Sequence, residues 1–160
     1  ARIEDFTVVT IMDGSERGVV HVERFNRVDW TIQCQRIHTT LERFGKCPVL
    51  VDSTGAGQVV YEKLREANVR AEGYTFTAAS KAALIQNLAV MIEQKKITLP
   101  RPELWPDGIE ELEAFEFSVT EAGNISTGAP SGMHDDCVIS LALVSWKCRK
   151  DYAKIVATWV

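Results

Sequence analysis

The run Pro48-Val-Leu-Val-Asp52 constrains this chain more than any other segment. Its centre is wholly apolar, without the alternation of a half-buried strand. Turn residues bound it, with Pro48 before and Ser53-Thr-Gly-Ala-Gly57 after. A short apolar run of this kind is the mark of a buried parallel strand. The flanking patterns agree. Asp29 reads as the N-cap of a helix that carries Ile32 and Leu41 out to Phe44 and stops at Gly45. Val59 to Ala67 reads as a second helix, with Val60, Leu64 and Ala67 inward. Upstream, Phe6 to Met12 and Gly18 to Phe25 flank the turn residues Asp13-Gly14-Ser15 and read as a β-hairpin. Strands alternating with helices point to an α/β layer fold.

Downstream, Tyr74 to Thr77 reads as a strand, and Ser80 as the cap of a long helix from Lys81 to Lys95 with Leu84, Leu88 and Met91 as its stripe. Residues 101–108 hold Pro102, Pro106 and Gly108 and read as a loop, followed by a helical turn over 110–114 and a strand over 115–119. Glu121 to Met133 reads as a long polar loop. An apolar helix then runs from Asp136 to Lys150, and Ala153 to Val160 reads as a last strand.

In open α/β sheets, ligands gather at the carboxyl ends of parallel strands. Asp52 stands at such an end and reads equally well as a functional carboxylate or as the start of an Asx-turn. Asp135 and Asp136, preceded by His134, sit at the mouth of the last helix. One carboxylate suffices for a cap that stabilises by about 1 kcal/mol. A second adds repulsion, which a hard divalent cation removes because it prefers oxygen ligands. Asp5, by itself, reads as a solvated strand edge. Gly55-Ala-Gly57 lacks the Lys-Ser/Thr of a phosphate-binding loop and reads as a tight turn.

Composition narrows the function classes. A net charge of −4 argues against a grip on nucleic acid by bulk charge alone, while leaving room for a local basic patch or for binding through metal ions. No apolar run is long enough to span a bilayer, and the N-terminus shows no signal-peptide pattern. The chain opens at Ala1 without Met and reads as an excised piece. Its 160 residues are expected to form one domain. Cys34, Cys47, Cys137 and Cys148 show no Cys-x-x-Cys spacing and read as reduced thiols of an intracellular protein.

Four motifs then follow in a telling order: Asp5-Phe-Thr-Val8, Leu50-Val-Asp-Ser-Thr-Gly55, Ser80-Lys-Ala82 through Leu99-Pro100, and His134-Asp-Asp-Cys-Val138 with Leu141-Ala142. From Ala1 to about Lys147 the chain resembles the C-terminal nuclease domain of the large terminase subunit of tailed bacteriophages. The resemblance implies a ribonuclease H-like α/β fold, with a mixed central β-sheet flanked by α-helices on both faces, and a single nuclease domain over 1–160. It implies that Asp52, Asp136 and Asp135 are catalytic and bind two divalent ions, Mg²⁺ or Mn²⁺, with Asp5 as an auxiliary acid. The activity it implies is two-metal cleavage of concatemeric double-stranded DNA. The implied partners are the terminase ATPase domain, the small terminase subunit and the portal. The implied setting is the host cell cytoplasm, with no membrane.

The family pattern also places a strand with a metal-bridging Asp ahead of Ala1. Cleavage by the chain as it stands is therefore expected to be weak, and the 154–160 segment is a candidate for that strand's lane. Phosphate-directed binding points to Lys81, Lys95, Lys96, Arg101 and Lys147 as DNA contacts. The 121–133 loop is expected to gate access. Two other readings stay open: another ribonuclease H-like nuclease such as a junction resolvase, and a non-catalytic packaging or assembly module.

Overall fold

The computed structural model describes residues 6–119, 125–149 and 155–159. A mixed sheet of five strands forms its centre. Strands β1 (Thr7–Asp13) and β2 (Gly18–Phe25) pair antiparallel as the expected hairpin. Asp13 closes their turn by accepting the Ser15 N–H and hydroxyl. Strand β3 (Val49–Asp52) pairs parallel with β4 (Ala71–Tyr74). Between β1 and β3 lies β7 (Ile155–Trp159), antiparallel to β1 and parallel to β3, which gives the order β2-β1-β7-β3-β4. The C-terminal segment thus takes the lane for which the sequence made it a candidate.

Helices cover both faces. On one side α1 (Trp30–Arg43) and α2 (Gly57–Glu66) bury Ile37, Leu41, Val60 and Leu64 against Val9, Ile11, Val49 and Val51. On the other, α3 (Ala78–Glu93) and α5 (Asp136–Cys148) bury Leu84, Leu88, Leu141 and Val144 against Val8, Met12 and Leu50. Every apolar residue of the Val49–Val51 run is buried, as a strand covered on both faces requires. Ten residues of α5 are buried, from Cys137 to Cys148, so this helix is the core of its layer rather than a surface element. Among the described residues, no helix is long and apolar enough to cross a membrane.

Local chemistry explains where expectations shifted. Asp29 caps α1 as expected, accepting the Thr31 and Ile32 N–H groups at 2.8 and 3.2 Å. Helix α3, however, begins three residues early. Thr77 is its cap, and Ser80 is the reciprocal partner in a capping box. The strand expected at 74–77 is β4 at 71–74. Its ladder runs from Val49↔Ala71 to Asp52↔Tyr74, so pairing with β3 overrides the weak strand propensity of Ala71-Glu-Gly. The region read as a loop and a helical turn holds α4 (Pro106–Ala114), which starts with proline at its first position. Part of the expected 121–133 loop is strand β6 (Ile125–Gly128), paired with β5 (Glu116–Val119) in a separate hairpin that also touches α3. Asp5 and residues 120–124 lie outside the described residues.

Candidate metal centre

Strand order brings Asp52 and the Asp135–Asp136 pair to the same end of the sheet. Trp159 of β7 is flanked in register by Val9 on one side and Val51 on the other. Asp52 follows Val51 directly. Phe6, three residues before Val9 on the antiparallel strand, lies toward the same end, and its N–H donates to Asp136 Oδ2 at 3.2 Å. Strands β1 and β3 are two lanes apart, about 10 Å. The carboxylates therefore straddle the β7 lane, whose residues Ile155-Val-Ala-Thr-Trp159 carry no acid.

Asp52 is half-buried, and its Oδ1 accepts the Thr54 N–H at 2.7 Å. That is the Asx-turn foreseen as the alternative reading. The turn fixes the carboxylate and leaves Oδ2 without a hydrogen-bond partner among the described residues, so the two readings are compatible. Thr54 is held in turn by donation of the Phe76 N–H to its hydroxyl at 2.8 Å.

Asp136 is 15 % exposed, with the His134 Nδ1 at 3.5 Å from its Oδ2. His134 packs edge-on against Phe6, ring centroids 4.9 Å apart. Asp135 makes no capping bond to its own helix; its Oδ2 meets the Lys81 Nζ at 3.2 Å instead. The cap comes from another element. Glu111 of α4, 5 % exposed, accepts the Cys137 N–H at 2.7 Å and the Val138 N–H at 3.4 Å with its Oε2. Its Oε1 pairs with Arg24 at 3.1 Å, and Arg24 also pairs with Asp107 at 3.1 Å. The Arg24 guanidinium lies 3.8 Å from the centre of the Phe6 ring. Burial pushes the Glu111 carboxyl above the usual glutamate range, with the negative Asp136 adding to this and the Cys137 N–H and Arg24 opposing it. Burial also pushes the Cys137 thiol up, which makes it an inert core group.

Glu111 and Arg24 escaped the sequence reading. Glu110-Glu111 in a short helix looks like any solvated acidic face, and no local pattern announces a partner on another helix.

The basic residues divide by position. Lys81 is at the helix mouth, beside Asp135. Lys95 and Lys96 follow the far end of α3, about 20 Å from Lys81 at 1.5 Å per residue. They precede Thr98, which bridges to Gly18 at the opposite end of the sheet. Arg101 is exposed in the connection that follows. Lys147 is eleven residues along α5 from Asp136 and is ion-paired with Glu72 of β4.

The donors fit a hard divalent cation in kind, being half-buried carboxylate oxygens toward one end of the sheet. In number they fall short: among the described residues no group of three acid, His or Cys side chains forms an ion site. A cation there would draw its remaining ligands from water, substrate or residues beyond those described.

Residues 2–144 match the family model for the terminase RNaseH-like domain. The large terminase subunit of Thermus virus P23-45 is 30 % identical over 146 residues, which is 88 % of this chain and 28 % of that protein. The large subunit of Thermus phage G20c is equally similar, at 30 % identity. The chain thus spans 28 % of the length of these curated relatives. Among solved structures, the magnesium-bound large terminase nuclease of thermophilic phage G20c superposes with a TM-score of 0.82 at 27 % identity, covering 92 % of this chain and 77 % of that one. Its cobalt-bound form gives 0.82 at 28 % identity, covering 90 % and 76 %. The five-stranded mixed sheet with helices on both faces is accordingly a ribonuclease H-like fold. The chain belongs to the terminase RNaseH-like domain family.

Proposed function

We propose that this chain is the DNA endonuclease domain of a viral packaging terminase, cutting concatemeric double-stranded DNA with Mg²⁺ or Mn²⁺. What supports this reading is that Asp52 and the Asp135–Asp136 pair lie toward one end of the sheet, on either side of the β7 lane, in a family whose G20c nuclease is solved with magnesium and with cobalt bound. Asp52 and Asp136 would hold the ions, with Asp135, and Asp5 from outside the described residues, as supporting acids. Bound divalent ions supply an activated water and neutralise the charge that builds on the scissile phosphate. The chain's own part is positioning. The Thr54 N–H orients Asp52, the Phe6 N–H and His134 orient Asp136, and Lys81, which pairs with Asp135, would meet a backbone phosphate. The ATPase domain, small subunit and portal are the partners this reading implies.

The test is plasmid nicking and linearisation with Mn²⁺ by a longer chain that includes the family's strand ahead of Ala1. Asp52→Ala and Asp136→Ala are each expected to abolish cutting; full activity in both sinks the assignment. A β7 lane without an acid favours a second reading, a non-catalytic packaging module. Calorimetry that detects no Mn²⁺ binding by a longer chain including the family's strand ahead of Ala1 would decide for it.

A further inference from the structure

We infer that Glu111 is a positioning residue for the carboxylate pair, an inference that rests on the metal-site reading above. A helix start leaves several backbone N–H groups without intrahelical partners, and a side chain at the cap position ordinarily takes one. At α5 that role would fall to Asp135. Its backbone (φ −132°, ψ 13°) departs from the extended conformation of an N-cap, and its carboxylate makes no cap bond. Glu111 reaches in from α4 and accepts both Cys137 and Val138. Capping in trans keeps Asp135 out of the helix mouth and available at the surface, where it meets Lys81.

The same carboxylate fixes the second wall of the site. Its Oε1 holds Arg24, and Arg24 lies over the Phe6 ring. Phe6 in turn donates to Asp136 and packs on His134. A chain of direct contacts therefore runs Glu111–Arg24–Phe6–Asp136, while the other oxygen of Glu111 holds the helix that carries Asp136. Burying a charged carboxylate is costly unless it is paired and hydrogen-bonded, and here both oxygens are used. A cap supplied by the Asp135 side chain itself would have served the helix alone. Glu111 serves the orientation of two acids at once. A cavity of about 220 Å³, lined by Arg24, Asp107, Glu110, Glu111, Met133 and His134, opens on this side of the helix mouth.

The experiment is Mn²⁺ binding by the 160-residue chain, followed by electron paramagnetic resonance of the free ion. Glu111→Asp keeps the charge but draws the carboxylate back by one methylene. It is expected to raise the Mn²⁺ dissociation constant by about tenfold, the usual effect of disturbing an outer-shell group, with an unchanged far-ultraviolet circular dichroism spectrum. Glu111→Gln keeps an oxygen for Cys137 but turns an amide NH₂ toward Arg24 in place of Oε1, and is expected to lose about threefold or more. A Glu111→Asp protein that melts earlier yet binds Mn²⁺ like wild type overturns the inference and leaves Glu111 a structural cap. If the aspartate variant does not fold, Arg24→Gln decides: an affinity equal to wild type overturns the inference, and a loss of about threefold or more supports it. Wild-type affinity in both Asp52→Ala and Asp136→Ala is the separate result that removes the metal site itself.

Discussion

The N–H of Phe6 donates to Asp136 Oδ2 at 3.2 Å, joining residues 130 positions apart in the sequence. The start of β1 and the mouth of α5 are locked together there, so the acid serves the fold as well as the candidate site. Asparagine keeps an oxygen for Phe6 and alanine does not. Asp136→Asn should therefore lower stability less than Asp136→Ala, by about 1 kcal/mol in urea unfolding. Both should abolish Mn²⁺-dependent plasmid cutting. Equal stability of the two variants would show that this contact contributes nothing to the fold.

Asp52 separates the two roles in the same way. The Thr54 N–H needs only one oxygen, which Asp52→Asn retains. Melting within a few degrees of wild type, with cutting lost, is the expected result. A variant that melts much earlier would give Asp52 chiefly to the turn.

Gly108 faces the Trp105 indole so closely that a Cβ would lie 2.0 Å from a ring carbon. Trp105 is 6 % exposed and packs in the core beneath α4. Gly108→Ala should cost about 1–3 kcal/mol through overpacking and shift tryptophan emission. Because α4 carries Glu111, the same change should also weaken Mn²⁺ binding.

Glu23 gives the fold a pH dependence. Burial pushes its carboxyl up, but the Thr40 hydroxyl, His21 and Arg36 outweigh burial and hold it below the usual glutamate range. A lowered folded-state value contributes stability above the ordinary glutamate pKa of 4.5, and that contribution is lost as pH falls through the lowered value. The stability gap between wild type and Glu23→Gln should therefore shrink as the pH falls from about 4.5 through the lowered value. A gap that widens on acidification would contradict the sign.

Position along α3 separates the lysines. Lys81→Ala should weaken duplex DNA binding and lower the salt slope by about 1, whereas Lys95→Ala and Lys96→Ala, at the far end of the sheet, should change it less. Fluorescence anisotropy across a salt series reads the difference. A larger loss at Lys95 or Lys96 would move the DNA path away from the helix mouth.

What the sequence determined by itself was local and periodic. The Val49–Val51 run declared a strand buried on both faces, Asp29 declared the start of α1, and the order of acids along the chain declared the family. The first two signals survive because each depends on neighbours within a turn or two. Tertiary structure decided the rest. The register of β4 came from its ladder with β3, and the lane of β7 from unpaired edges on β1 and β3, which no reading of Ile155–Trp159 alone contains. Whether Asp135 caps α5 was decided by Glu111, which lies 26 residues before Cys137 and takes the free N–H groups of the helix start in its place. A capping oxygen is chosen by proximity in space, and proximity across 26 residues exists only once α4 has packed against α5.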